Sequence, residues 1–184
     1  MKQGLILIDI QNDYFPAGKM ELVQIDHAAR NASQVLTVFR KKQLPIFHVQ
    51  HISNRPGATF FLPDTRGVEI HDSVTPQKGE NLVTKQFPNA FRETELLDLL
   101  NRSNIREIVI CGAMSHMCVD ATVRAGFDLG FQCTVIADAC ATRDLEFGGV
   151  IVEAGKVHAA FMAALSAPYA RVMSAEDFIT QQPD

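Results

Sequence analysis

The chain contains 184 residues, of which 47% are hydrophobic, and its 17 basic and 21 acidic residues give a formal net charge of -4. This composition excludes a mainly disordered chain, and dispersed basic residues with an acidic balance exclude a nucleic-acid-binding surface. The first residues, MKQGLILIDIQ, lack the features of a signal peptide, and no stretch approaches the roughly 20 apolar residues that cross a bilayer. We therefore expect one cytoplasmic domain over residues 1–184, with no membrane or nucleic-acid partner.

Short apolar runs alternate with segments of helical periodicity along the chain. The predicted strands cover residues 5–9, 45–51, 81–85, 106–112, 132–138 and 170–174. The predicted helices cover residues 27–42, 93–104, 118–130, 149–166 and 175–180. The alternation predicts parallel βαβ units in a three-layer α/β domain, because strands that are apolar on both faces are typical of a parallel sheet covered by helices. The connection over residues 52–80 is too long for a plain loop, which indicates a functional role.

Polar residues follow the apolar part of each strand at the edge where ligands bind in such sheets. They are Asp9, His51, Lys85, the corner at residues 115–118 and Asp138. An acid, a base and the thiol of Cys118 are therefore expected at one edge. For each residue taken alone a structural role is an open alternative: a loop cap for Asp9, a solvated charge for Lys85, a small buried hydrophobe for Cys118.

The placement of Cys118 at the predicted start of a helix favours a reactive thiol, because the positive end of the helix dipole stabilises a thiolate. The four cysteines have no zinc-like spacing and are expected as reduced thiols, with Cys111 and Cys133 in the core. No glycine-rich phosphate cradle or G-x-S-x-G elbow is present, so we expect no nucleotide cofactor. His48 and His51 point to opposite faces of their strand, and we expect no metal.

Three segments resemble the isochorismatase-like cysteine hydrolases, which include nicotinamidases and N-carbamoylsarcosine amidohydrolase. The segments are LILIDIQNDYF, KQFPNAF and GAMSHMCVDATVRAG, and VIADACAT also resembles the fifth strand of that family. Their order and spacing match over residues 4–173. The resemblance implies a catalytic triad of Asp9, Lys85 and Cys118 on a doubly wound, mainly parallel six-stranded sheet.

The resemblance also implies details of the nucleophile corner. It places a non-proline cis peptide between Ala113 and Met114, and an oxyanion hole at the backbone N–H groups of Met114 and Cys118. In the implied mechanism Asp9 takes the thiol proton, Cys118 attacks a carbonyl, and water hydrolyses the resulting thioester. Relatives commonly form dimers or tetramers, so a homo-oligomer is implied as well.

The sequence departs from metal-dependent nicotinamidases, because FHVQHISNRPG lacks their Asp-x-His pair. A metal and nicotinamide are therefore disfavoured, and the retained Cys118 favours hydrolysis of a C–N bond in a small amide, carbamoyl or ureido compound. An isochorismatase-type vinyl ether hydrolase and a catalytically silent oligomeric binding module are the alternatives. Candidates for substrate contact or for the pocket walls are Gln11, Phe15, His51, Phe60, Phe61, Phe87, Phe91 and His116. Core packing is an open alternative for each phenylalanine, as is a structural role for the two histidines.

Overall fold

The computed structural model describes residues 2–182. The strands are β1 Lys2–Ile8, β2 Ile46–His51, β3 Asn81–Lys85, β4 Ile105–Ala113, β5 Gln132–Ala141, β6 Leu145–Phe147, β7 Val150–Val152 and β8 Ala170–Met173. The α-helices are α1 Ile25–Lys41, α2 Leu96–Arg102, α3 Asp120–Asp128, α4 Ala154–Leu165 and α5 Ala175–Thr180. A π-helical turn, Ser115–Val119, leads from β4 into α3.

Six strands form one sheet in the order β3-β2-β1-β4-β5-β8, and every adjacent pair is parallel. The chain builds outward from β1 in one direction and from β4 in the other. The carboxyl ends of β1 and β4 therefore flank the switch point where doubly wound sheets bind ligands. The predicted doubly wound, parallel six-stranded α/β fold is confirmed.

Both faces of the sheet are buried, because side chains alternate along each strand. In β1, Leu5 and Leu7 pack into a core cluster with α1 and α5, whereas Ile6 and Ile8 pack into a second cluster with α2, α3 and α4. The apolar runs seen in the sequence are thus the central layer of three. No helix within residues 2–182 is both long and apolar enough to span a bilayer.

Several predicted boundaries were wrong for identifiable physical reasons. The predicted helix over 149–166 begins only at Ala154, because β6 and β7 form an antiparallel hairpin first. Gly148 and Gly149 have φ of 59° and 77°, and two consecutive residues at positive φ make the tight turn of a hairpin. The predicted helices over 93–104 and 118–130 are also shorter, and β5 continues past Asp138 to Ala141.

The long connection over residues 52–80 is irregular, as expected from the sequence. It contains two short 3-10 turns, Arg66–Val68 and Asp72–Val74. Gln11 forms an isolated bridge with Ile70, so the connection folds back beside the end of β1.

Candidate active site

Three strand ends bring the predicted triad together. Asp9 follows β1, Lys85 is the last residue of β3, and Cys118 lies in the turn after β4. The Lys85 Nζ lies 2.8 Å from Asp9 Oδ2 and 3.3 Å from Cys118 Sγ. All three residues are buried, with at most 3% of their surface exposed. The sheet thus holds a carboxylate, an ammonium group and a thiol in mutual contact below the protein surface.

A fourth group, His51, completes the surroundings of the ammonium. Its Nδ1 lies 2.9 Å from Lys85 Nζ, since His51 and Lys85 are register partners at the ends of β2 and β3. An ammonium group has three N–H donors, and the acceptors at 2.8, 2.9 and 3.3 Å use all of them. Lys85 therefore connects the other groups and has no donor left for a substrate.

The carboxylate of Asp9 is fully buried but has few partners. Beyond its ion pair with Lys85, neither oxygen accepts a hydrogen bond of standard geometry from any residue in the described range 2–182. Buried carboxylates are normally saturated with hydrogen bonds, because an unpaired buried acceptor is costly. Asp9 consequently retains lone pairs that can accept a proton.

The environment sets the charge of each group. Burial lowers the pKa of Lys85, but its interactions, led by the charge of Asp9, outweigh burial, and the net pKa is raised. Burial, and then the charge of Lys85, lower the pKa of His51 to about 4. Burial, followed by the charge of Asp9, raises the pKa of Cys118 against the opposing effect of Lys85. These effects raise the pKa of the thiol, whereas the helix terminus at which the sequence places Cys118 would lower it.

The donor set at this site resembles that of a metal centre. One ligand atom each from Asp9, His51 and Cys118 lie within 4.8 Å of one another. The ammonium of Lys85, however, contacts Oδ2 of Asp9, Nδ1 of His51 and Sγ of Cys118. The position between the donors is thus taken by a fixed positive charge, and the residues do not fit an additional metal cation.

The nucleophile corner depends on close backbone approach. Gly112 has a φ of 130°, and a Cβ there would overlap the carbonyl oxygen of Ile8, its register partner in β1. The peptide bond between Ala113 and Met114 is cis. The Met114 carbonyl accepts from the N–H groups of Met117 and Val119, at 3.0 and 3.2 Å.

A cavity of about 270 Å³ opens above the thiol. It is lined by Tyr14, His51, Ser53, Asn54, Arg55, Phe60, Phe61, Gln86, Phe87, Pro88, Met117 and Cys118. Of the residues singled out in the sequence, His51, Phe60, Phe61 and Phe87 line it. Ligand pockets for drug-sized molecules start near 300 Å³, so this cavity accommodates a small substrate.

Four predicted substrate contacts lie elsewhere. The side chain of Gln11 bonds to the backbone of His51 and Val68 and so positions the end of β2. The other three do not line the cavity: Phe15 stacks on His71, Phe91 stacks on Phe131, and His116 bonds to Thr142 Oγ1. Asp138 also lies apart, since its Oδ1 accepts from Ala175 N at the start of α5.

Sequence reasoning missed much of the cavity wall. Tyr14 and Gln86 lie within the quoted segments LILIDIQNDYF and KQFPNAF, which could have pointed to them. Ser53, Asn54 and Arg55 come from the irregular connection, which gives no periodic signal. This wall is anchored at its base, because Ser53 N donates to Phe61 O at 2.9 Å and Phe61 N donates to Asp13 Oδ2 at 2.6 Å.

The fold and the match to a family model define the class of this protein. The model of the isochorismatase domain matches residues 3–177. The chain therefore belongs to the isochorismatase family, and it is a hydrolase of that family. The resemblance noted in the sequence is confirmed.

Individual relatives cover nearly the whole chain. The uncharacterized isochorismatase family protein YddQ of Bacillus subtilis strain 168 is 50% identical over 97% of this chain and 99% of its own length. The crystal structure of a protein of Oleispira antarctica, described as an isochorismatase hydrolase, superposes with a TM-score of 0.94 at 48% identity, covering 97% of this chain and 96% of that one. A streptothricin hydrolase of Streptomyces noursei is 33% identical over 78% of this chain and 56% of its own length. More distant relatives include a nicotinamidase and a ureidoacrylate amidohydrolase.

Proposed function

We propose that this protein is a cysteine-dependent hydrolase that cleaves a C–N bond of a small amide, carbamoyl or ureido substrate through a thioester. The observation that carries the proposal is the contact of Lys85 Nζ with both Asp9 Oδ2 and Cys118 Sγ, at 2.8 and 3.3 Å, below a cavity into which the thiol opens. The names of the hydrolase, nicotinamidase and amidohydrolase relatives indicate that amide and ureido chemistry occurs in this family.

The first half of the reaction forms the thioester. Asp9 accepts the proton of Cys118 as Sγ attacks the substrate carbonyl carbon, and the carbonyl oxygen becomes an oxyanion. The N–H groups of Met114 and Cys118 are the proposed donors to it, because they lie at the start of a helix where backbone donors lack intrahelical partners. When the C–N bond breaks, the proton on Asp9 passes to the leaving nitrogen.

The second half regenerates the enzyme. Asp9, again a carboxylate, takes a proton from a water molecule whose oxygen attacks the thioester carbon. The C–S bond breaks, the acid leaves, and the proton returns to the sulfur. Lys85 stays protonated throughout, because the balance of its interactions raises its pKa, and it keeps the carboxylate and the sulfur in place.

His51 has a role that follows from its hydrogen bond. Since Nδ1 accepts from the ammonium of Lys85, the proton of the neutral imidazole is on Nε2. His51 lines the cavity, so this Nε2–H is a proposed donor to the substrate. A pKa of about 4 keeps the ring neutral, and therefore in this tautomer, at ordinary pH.

The decisive experiment is ammonia and amine release from a panel of small amides and ureido compounds with wild-type protein and Cys118→Ala. We expect the variant to lose activity by about 10⁴-fold or more while it keeps its thermal unfolding midpoint within a few degrees. Cys133→Ala, which removes a buried thiol of β5 outside the cavity, is the matched control. Substantial ammonia or amine release by Cys118→Ala would overturn covalent catalysis. No turnover of any compound by folded wild-type protein would shift the assignment to vinyl ether hydrolysis or to a binding module.

We also propose that the protein is a homo-oligomer, a dimer or a tetramer. The hairpin of β6 and β7 supports this, because Phe147, Val150 and Ile151 are 88%, 63% and 68% exposed. An exposed apolar group of this kind typically marks a contact with another chain. Light scattering at micromolar concentration is expected to give a dimer or tetramer, and a lower mass for Phe147→Ser; a monomeric wild type would contradict the proposal.

A further inference from the structure

The cavity wall carries positive charge only. Among the lining residues, all of which lie in the described range, Arg55 alone carries a full charge, and none is an aspartate or glutamate. The remaining polar groups of the wall, on Tyr14, Ser53, Asn54 and Gln86, are neutral. A cavity with a single cation and no acid attracts a negatively charged ligand group.

Arg55 is available to bind such a group. Within residues 2–182 its side chain forms no ion pair or hydrogen bond, whereas Arg40 and Arg124 are paired with carboxylates. Its charge contributes to the lowered pKa of His51, so the guanidinium is close enough to the imidazole to influence it electrostatically. Its backbone is held from within the loop, because Ala58 N donates to Arg55 O at 3.2 Å.

The other lining residues define the surface that a ligand of Cys118 and Arg55 would contact. Phe60, Phe61 and Phe87 supply apolar faces, and Cys118 lies at the buried end. The volume of about 270 Å³ limits the ligand to a compact molecule. A ligand that fills this space therefore has its reactive carbonyl at Cys118, a short apolar body, and its far end at Arg55.

From these observations we propose that the substrate is a small acid, whose carboxylate, remote from the C–N bond that is cleaved, binds Arg55. Guanidinium and carboxylate form paired hydrogen bonds, which would fix the orientation of the substrate as well as its charge. This inference rests on the proposed function and names its substrate class: amido or ureido acids rather than neutral amides.

The test compares ureidoacetate, 3-ureidopropionate and 4-ureidobutyrate with their methyl esters, which keep the ureido group and remove the charge. We expect kcat/KM to favour an acid over its ester by about fivefold, the upper range for a solvent-exposed ion pair. Arg55→Gln should bring this ratio close to one through a higher KM for the acid, and Arg55→Lys should restore part of it.

Two other arginines serve as matched controls. Arg66 lies on the same long connection but outside the cavity lining, and Arg66→Gln should leave the acid-to-ester ratio unchanged. Arg143 has a buried Nε with no partner among the described residues, and its charge affects the pKa of Tyr14 and of His116. Arg143→Gln therefore distinguishes the effect of Arg143 from that of Arg55. If the acid-to-ester ratio of kcat/KM fell to one in Arg143→Gln but not in Arg55→Gln, the assignment to Arg55 would be overturned.

Failure of this inference differs from failure of the proposed function. Equal kcat/KM for acids and esters, or a ratio that Arg55→Gln does not change, overturns the role of Arg55 and leaves amide hydrolysis standing. Hydrolysis of no compound in either set overturns the proposed function for ureido substrates. Calorimetric binding of the acids and esters to Cys118→Ala then tests Arg55 without turnover, and equal affinities there would overturn it as well.

Discussion

Two clusters of charged groups lie on opposite faces of β2, and they differ in how far their carboxylates are satisfied. His51 contacts Lys85, which pairs with Asp9, on the face of the active site. His48, three residues earlier and on the other face, contacts Glu80, which pairs with Arg40 of α1. Each cluster thus contains an imidazole, a carboxylate and a cation, and the active-site cluster adds the thiol of Cys118.

The carboxylate of Glu80 is saturated. It accepts from Arg40 Nε and Nη2, from Gln77 N and from His48 Nε2, all at 2.7–2.9 Å. Burial raises its pKa, but these hydrogen bonds outweigh burial and lower the pKa to about 2. A carboxylate held in this way is a poor base, and its role is to attach the end of the long connection to α1.

Asp9 shows the opposite arrangement, with one ion pair and no hydrogen bond of standard geometry from the described residues. The two carboxylates can therefore be assigned different roles from the number of hydrogen bonds that each accepts. Saturation stabilises the charged form and the fold, whereas an unsaturated buried carboxylate keeps the capacity to take a proton.

The largest expected effect separates the two carboxylates directly. Asp9→Asn should lower kcat/KM by about 10³-fold, because no base remains for the thiol proton. Glu80→Gln should lower kcat/KM by no more than about threefold, although both variants lose stability, by about 3 kcal/mol for Asp9→Asn and about 2 kcal/mol for Glu80→Gln. Steady-state kinetics and urea unfolding of both proteins measure these quantities. Comparable kinetic losses in the two variants would remove the distinction between the clusters.

The two histidines give a smaller contrast. His51→Phe keeps an aromatic ring but removes the acceptor for Lys85 and the proposed donor to the substrate, so kcat should fall roughly 10²-fold. His48→Phe removes a hydrogen bond to Glu80 and should change mainly the free energy of unfolding, by about 1 kcal/mol. If His48→Phe reduced kcat as strongly as His51→Phe, His51 would have no separate function in the reaction.

The smallest effect is the pH dependence of stability. His51 has a pKa of about 4 in the folded protein and 6.5 when unfolded, so between these values the unfolded chain binds more protons. The folded state should therefore lose stability as pH falls from 6.5 to 4, and His51→Phe should reduce that slope. Glu80, whose pKa is depressed from 4.5 to about 2, adds a further loss below pH 4.5 that Glu80→Gln removes. Urea unfolding at half-unit pH steps measures both; a flat wild-type curve from 6.5 to 4 would contradict the first.

The sequence predicted those parts of the fold and site that follow regular apolar periodicity. Asp9 and Lys85 close periodic apolar runs, so the sheet rule placed them at one edge, and the fold and the family are confirmed. The catalytic roles of these residues stay predictions. The hairpin was missed because Val150, Ile151 and Val152 continue the apolar pattern of α4. Phe15 and Phe91 were only candidates for the cavity wall, because an aromatic residue gives no sign in the sequence of whether it packs in a core or beside a ligand.

Because the cavity wall is anchored at its base, homologues can differ in substrate range without differing in their catalytic residues. Residues 54–60 leave from and return to two neighbouring points, since Ser53 N bonds to Phe61 O and Phe61 N bonds to Asp13. None of the three groups around the ammonium of Lys85 belongs to this segment. It behaves as an exchangeable insert, so replacing those residues alone would give new ligand preferences on an unchanged reaction centre. Transplants of the equivalent segment between homologues are therefore a direct route to new members with altered selectivity.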